Sequence, residues 1–116
     1  NFNHVKNHIK EITLKALEKG IPKGIALNVN FPNLIESEIK GIKICRQAKA
    51  YWIEKFDKRK NPQGKEYYWL TGEFINEDKN TDTDEYALKS GYISIVPVKH
   101  DLTDHDSINR INNVQL

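Results

Sequence analysis

Residues 61–74 read NPQGKEYYWLTGEF, a run that starts as a turn and continues as three consecutive rings, Tyr67, Tyr68 and Trp69. Asn at the first position, Pro at the second and Gly at the fourth are the residues a type I turn favours, so the chain reverses here. Neighbouring side chains on a strand point to opposite faces, and adjacent rings therefore need apolar cover on both. Before the turn, Ile39 to Phe56 is rich in β-formers and has no breaker after Gly41, which predicts one long strand. Its return runs from about Lys65 to Ile75, giving a hairpin whose arms reach roughly 33 Å. A four-residue reversal sets Lys60 opposite Lys65, Arg59 opposite Glu66 and Phe56 opposite Trp69. Cross-strand charge and aromatic pairs of this kind contribute a few tenths to about 1 kcal/mol each.

Upstream, Val5, Ile9, Ile12 and Ala16 keep helical spacing, with Phe2, Leu14 and Leu17 widening the stripe. Gly20 and Pro22 end this helix. IALNVNF then alternates apolar Ile25, Leu27, Val29 and Phe31 with Ala26, Asn28 and Asn30, which marks a strand halted by Pro32; a loop follows over 33–38. Downstream of the hairpin, Asp82 and Glu85 frame a capping box for a short helix near Thr83 to Ser90, closed by Gly91. GYISIVPV is apolar on both faces and predicts a buried strand. A last helix is capped by Thr103 or Asp104, with Ile108, Ile111 and Val114 as its apolar positions.

The chain has 116 residues, enough for one domain or part of a larger one. A mean hydropathy of -0.69 makes it polar. Eighteen basic against sixteen acidic residues leave a net charge of only +2, so no field of one sign points to nucleic acid or an anionic surface. No apolar run is long enough to span a bilayer, and NFNHVKNHIK lacks the apolar centre of a signal peptide, which points to a cytoplasmic protein. Cys45 is the single cysteine and reads as a buried, inert thiol. A start at Asn1 with no methionine in the chain suggests an excised or tag-trimmed piece.

Four groupings carry possible chemistry. Asp78, Asn80 and Asp82 occupy the first, third and fifth places of a calcium loop, but Thr83 stands where glycine is needed and Lys89 where a bidentate Glu is needed. The segment therefore reads as a capping and solvated loop. His4 and His8 share a helix face at zinc-ligand spacing, with no third ligand and no general-base Glu. In HDLTDHD, Asp101 and His105 are four apart, as are His100 and Asp104; without a nucleophile they read as a helix start rather than a catalytic pair. Finally, Lys55, Lys58, Arg59, Lys60 and Lys65 surround the rings Tyr51, Trp52, Tyr67, Tyr68 and Trp69. That pattern suits single-stranded nucleic acid or another polyanion, diluted here by Glu54, Asp57, Glu66 and Glu73.

Seven stretches in one order, LNVNFP (27–32), ICRQAKAYW, NPQG, YYWLTG (67–72), DTDEYAL (82–88), GYISIVP (91–97) and DLT (101–103), resemble the C-terminal half of survival protein E (SurE), the stationary-phase survival nucleotidase family. Val96 departs from the threonine that is commoner in the family, a change of packing. The resemblance implies an α/β fold of SurE type: residues 1–32 as the last helix and strand of a Rossmann-like core, 33–76 as a long projecting hairpin, 77–100 as a short helix and buried strand, and 101–116 as a C-terminal helix exchanged between subunits. It also implies a 5'/3'-nucleotidase acting on nucleoside monophosphates with a divalent metal ion, Mg or Mn. The family holds that metal on an N-terminal aspartate pair, a serine and an asparagine, and none of those motifs occurs here, so no catalytic or metal-binding residue carries over and the chain alone is expected to be inactive. Self-association into dimers or tetramers is implied, with Tyr51, Trp52, Phe56, Tyr67, Tyr68, Trp69, Asp101 and His105 as interface candidates. A stand-alone polyanion-binding module is the alternative.

Overall fold

The computed structural model describes residues 3–114. Helix α1 (Asn3–Lys19) is followed by strand β1 (Ile25–Asn30), a single 3-10 turn at Glu36–Glu38, and strand β2 (Ile42–Ile44). Next come strands β3 (Ala50–Lys60) and β4 (Glu66–Asn76), helix α2 (Asp84–Lys89), strand β5 (Ile93–Lys99) and helix α3 (His105–Asn112). The mixed α/β fold expected of a SurE-like chain is present.

The body is a three-stranded sheet in the order β1-β5-β2, with β1 antiparallel and β2 parallel to β5. Central position explains the apolar character of β5: Ile93, Ser94, Ile95 and Val96 are all buried. Helix α2 lies against this strand, and Ala87 packs with Cys45 and Val96 into a small core. Helix α1 ends as its sequence predicts, with Gly20 at φ 78° and its N–H donating to Ala16 O at 2.9 Å. An apolar groove remains between α1 and β1, lined by Ile9, Ile12, Ala16, Leu27 and Val29 among others.

Strands β3 and β4 form a separate two-stranded ribbon of eleven residues per arm that, among the described residues, has no extensive packing against any other element. The radius of gyration, 20.3 Å, far exceeds the roughly 13 Å of a compact chain of this length. Accessible surface tells the same story, at 9722 Å² against about 6500 Å² for a compact monomer.

Three local expectations are corrected. The hairpin register is Lys60 opposite Glu66, Arg59 opposite Tyr67, Asp57 opposite Trp69 and Phe56 opposite Leu70, one residue away from the four-residue reversal. Gly64 is the cause: at φ 79° it is a left-handed bulge after the turn, so three residues, Pro62 to Gly64, connect Asn61 to Lys65. The long strand from Ile39 is also broken, because the chain leaves the sheet after Ile44 and enters the ribbon only at Ala50, with Arg46 bridging to Thr83 between them. The cap of α2 is Thr83, whose Oγ1 accepts from Tyr86 N at 3.2 Å, and not Asp82, whose carboxylate is held by Arg46.

Candidate assembly surfaces

Strand alternation sorts the predicted interface rings into two sets. Trp52, Phe56 and Tyr68 lie on one face of the ribbon together with Leu70, Phe74 and Gly72; Tyr51, Tyr67 and Trp69 lie on the other with Ile53 and Ile75. On the first face the Trp52 and Phe74 rings meet at 5.4 Å between centroids, and a Cβ on Gly72 would stand 3.4 Å from the Trp52 ring. On the second, the Arg59 guanidinium lies 5.5 Å from the Trp69 ring centre. All six candidates are exposed, Trp52 and Phe56 at 66% each. Contiguous apolar exposure on this scale is what protein interaction surfaces present, which makes both ribbon faces candidates.

The ribbon's cations are largely neutralised. Lys55 pairs with Glu73, Lys58 and Lys60 with Glu66, and Arg59 with Asp57, each within 4.0 Å. These interleaved carboxylates dilute any cationic track along the rings, and with it the physical support for polyanion binding.

The tail brings Asp101 and His105 together: the His105 Nε2–H donates to Asp101 Oδ2 at 2.7 Å, and Thr103 N donates to Asp101 Oδ1 at 2.9 Å. The His105 bond is the chief reason the Asp101 carboxyl drops to a pKa of about 2. His100 and Asp104 do not meet. His100 Nδ1–H donates to Gly24 O at 3.1 Å, while Asp104 caps α3 through Ser107 N and Ser107 Oγ. Helix α3 keeps its apolar residues open, Ile108 and Ile111 being exposed, and Leu102 before it is 94% exposed. Like the ribbon, this segment carries apolar surface that the other described residues leave uncovered.

His8 lies near Phe31, with ring centroids 6.2 Å apart; the side chain of His4 lies outside the described residues. Among the described residues, no three or more His, Cys, Asp or Glu side chains gather where a metal ion would sit, and no helix is long and apolar enough to cross a membrane. Cys45 is buried, and burial pushes its thiol pKa up.

The grouping that sequence reasoning missed is built on Arg46. Its Nη1 and Nη2 donate to the two oxygens of Asp78 at 2.7 and 3.1 Å, and its Nε donates to Asp82 at 3.0 Å. The Asp78 side chain is only 3% exposed, and the Arg46 guanidinium holds its carboxyl well below the usual carboxylate range. The 78–82 segment is therefore the acidic half of an ion-pair network and not a solvated loop. One local signal was available: Arg46 directly follows Ile44 and Cys45, and an arginine beside a buried residue is commonly paired with a carboxylate.

Comparison with known proteins agrees with this architecture. Residues 1–54 match the family model described as Survival protein SurE. The whole chain aligns with the 5'-nucleotidase SurE of Flavobacterium psychrophilum at 61% identity and with that of Flavobacterium johnsoniae at 58%, covering 45% of each of those proteins. The crystal structure of the SurE protein from Aquifex aeolicus superimposes with a TM-score of 0.73 at 36% identity, over 99% of this chain and 46% of that one. The chain thus spans under half the length of the relatives it matches. It belongs to the SurE family and corresponds to the C-terminal part of its members.

Proposed function

We propose that the chain is the assembly-bearing part of a divalent-metal-dependent 5'/3'-nucleotidase, a cytoplasmic hydrolase that releases phosphate from nucleoside monophosphates. The observation that carries this reading is identity of 61% along the entire chain to a protein named 5'-nucleotidase SurE, of which it covers 45%. The described residues do not fit a metal site, so the hard cation, Mg or Mn, is assigned to the portion of the protein beyond this chain. What this chain contributes is surface. The ribbon faces bearing Tyr51, Trp52, Phe56, Tyr67, Tyr68 and Trp69, and the tail held by Asp101 and His105, are the contacts through which copies associate into dimers or tetramers. An isolated two-stranded ribbon is marginal in water, which supports a covering partner.

A chimera tests the reading: the N-terminal portion of the Flavobacterium psychrophilum protein is joined to this chain at the aligned position. Phosphate release from nucleoside 5'- and 3'-monophosphates with magnesium or manganese is expected. A folded chimera that turns over no nucleotide overturns the assignment.

A further inference from the structure

Both legs of the ribbon pass through one ion-pair network. On the incoming leg, between β2 and β3, Arg46 N donates to Asp82 O, Ala48 N to Asp84 Oδ1 and Lys49 N to Asp78 Oδ2. On the outgoing leg, directly after β4, Asp78 N donates to Asn76 Oδ1, and Asn76 is the cross-strand partner of Ala50 at the ribbon's base. The Asp78 carboxylate takes five donors in all: Arg46 Nη1 and Nη2, Lys49 N, Asn80 N and Asn80 Nδ2. A two-pronged guanidinium–carboxylate contact fixes direction as well as distance, unlike a contact between point charges. Among the described residues the ribbon has no extensive packing against another element, so this crossing is the main bonded connection between the ribbon's base and the body.

We propose that Arg46 and Asp78 form a latch that sets the angle at which the β3–β4 ribbon leaves the sheet, making them positioning residues for assembly. The latch joins Arg46, fixed to the α2 cap by its backbone bridge to Thr83, to the carboxylate lying across the ribbon's two legs. With it closed, the ribbon's rings are presented in one direction. With it open, the backbone connections at 45–49 and 77–83 act as a pair of hinges. The latch rests on the function proposed above only for what the oriented ribbon meets.

The test measures orientation directly, independent of activity or association. Spin labels are placed at the ribbon tip and on α2, using Gln63→Cys and Lys89→Cys in a Cys45→Ala chain diluted with unlabelled chain. A second pair within the body, Lys89→Cys and Lys99→Cys, serves as reference. The parent should give a narrow tip-to-body distance distribution. Arg46→Met and Asp78→Asn should each broaden that distribution at least twofold while leaving the reference pair unchanged; Arg46→Lys, which keeps the charge but not the fork, should fall between. If Arg46→Met fails to fold, the nearly isosteric Asp78→Asn decides. A distribution as narrow as the parent's in a folded variant overturns the latch, and so does equal broadening of both pairs, which would mark general loosening.

Discussion

Phe56→Ala probes the ribbon at its cleanest point, because this side chain is 66% exposed and stacks on no other aromatic ring among the described residues. A phenylalanine side chain offers about 200 Å² to burial, so roughly 130 Å² of it is still open to a partner. Full burial of such a side chain stabilises by about 1.5–3 kcal/mol, and two-thirds of that is about 1–2 kcal/mol per copy. In a twofold contact each ring counts twice, giving about 2–4 kcal/mol, or a dissociation constant raised roughly 30- to 1000-fold. Ordering costs take part of the gain, so the lower end is the expectation. Sedimentation velocity across a concentration series reads the change, with circular dichroism establishing that the variant folds. A dissociation constant within threefold of the parent refutes self-association through this face.

Two further outcomes follow from local geometry. Gly64→Ala places a Cβ at φ 79°, where no atom obstructs it but the backbone is unfavourable by about 1–2 kcal/mol; the ribbon should melt several degrees lower, and Gly64→Asn, which tolerates this conformation better, should lose less. Equal melting curves for parent and Gly64→Ala contradict the bulge. At the tail, a carboxyl whose pKa is depressed to about 2 contributes stability that is fully present above the ordinary value near 4 and is lost as the pH falls through about 2. His105→Ala should raise the Asp101 midpoint toward the ordinary value in an NMR titration, and an unchanged midpoint would show that the histidine bond is not its main cause.

The parts of the fold written in short-range patterns were legible. Gly20 ends α1, Gly91 follows α2 in the left-handed region at φ 85°, Asp104 caps α3, and the doubly apolar run at 93–96 is buried in the central strand. The ribbon itself was visible from its turn and rings. Its register was not, because residue types favouring a type I turn do not tell whether the glycine ends the turn or extends it by a bulge. The break between Ile44 and Ala50 was hidden for a different reason. No glycine or proline interrupts ICRQAKAYW, and the chain turns out of the sheet where Arg46 pairs with acids 32 and 36 residues away. The same long-range pairing took Asp82 from the helix cap and left that position to Thr83. Such contacts lie beyond any local window. They are also what made an apparently solvated acidic loop into the base of the ribbon.

If this chain supplies contacts while the chemistry is performed elsewhere in the protein, as proposed, phosphate release reads that division directly. The purified 116-residue chain is incubated with nucleoside 5'-monophosphates and either magnesium or manganese, and inorganic phosphate is followed at high protein concentration. A rate equal to the protein-free blank is expected with both metals. Metal-dependent turnover by the chain alone would contradict it, and would place a catalytic site among residues that here form only a sheet, a ribbon and a tail.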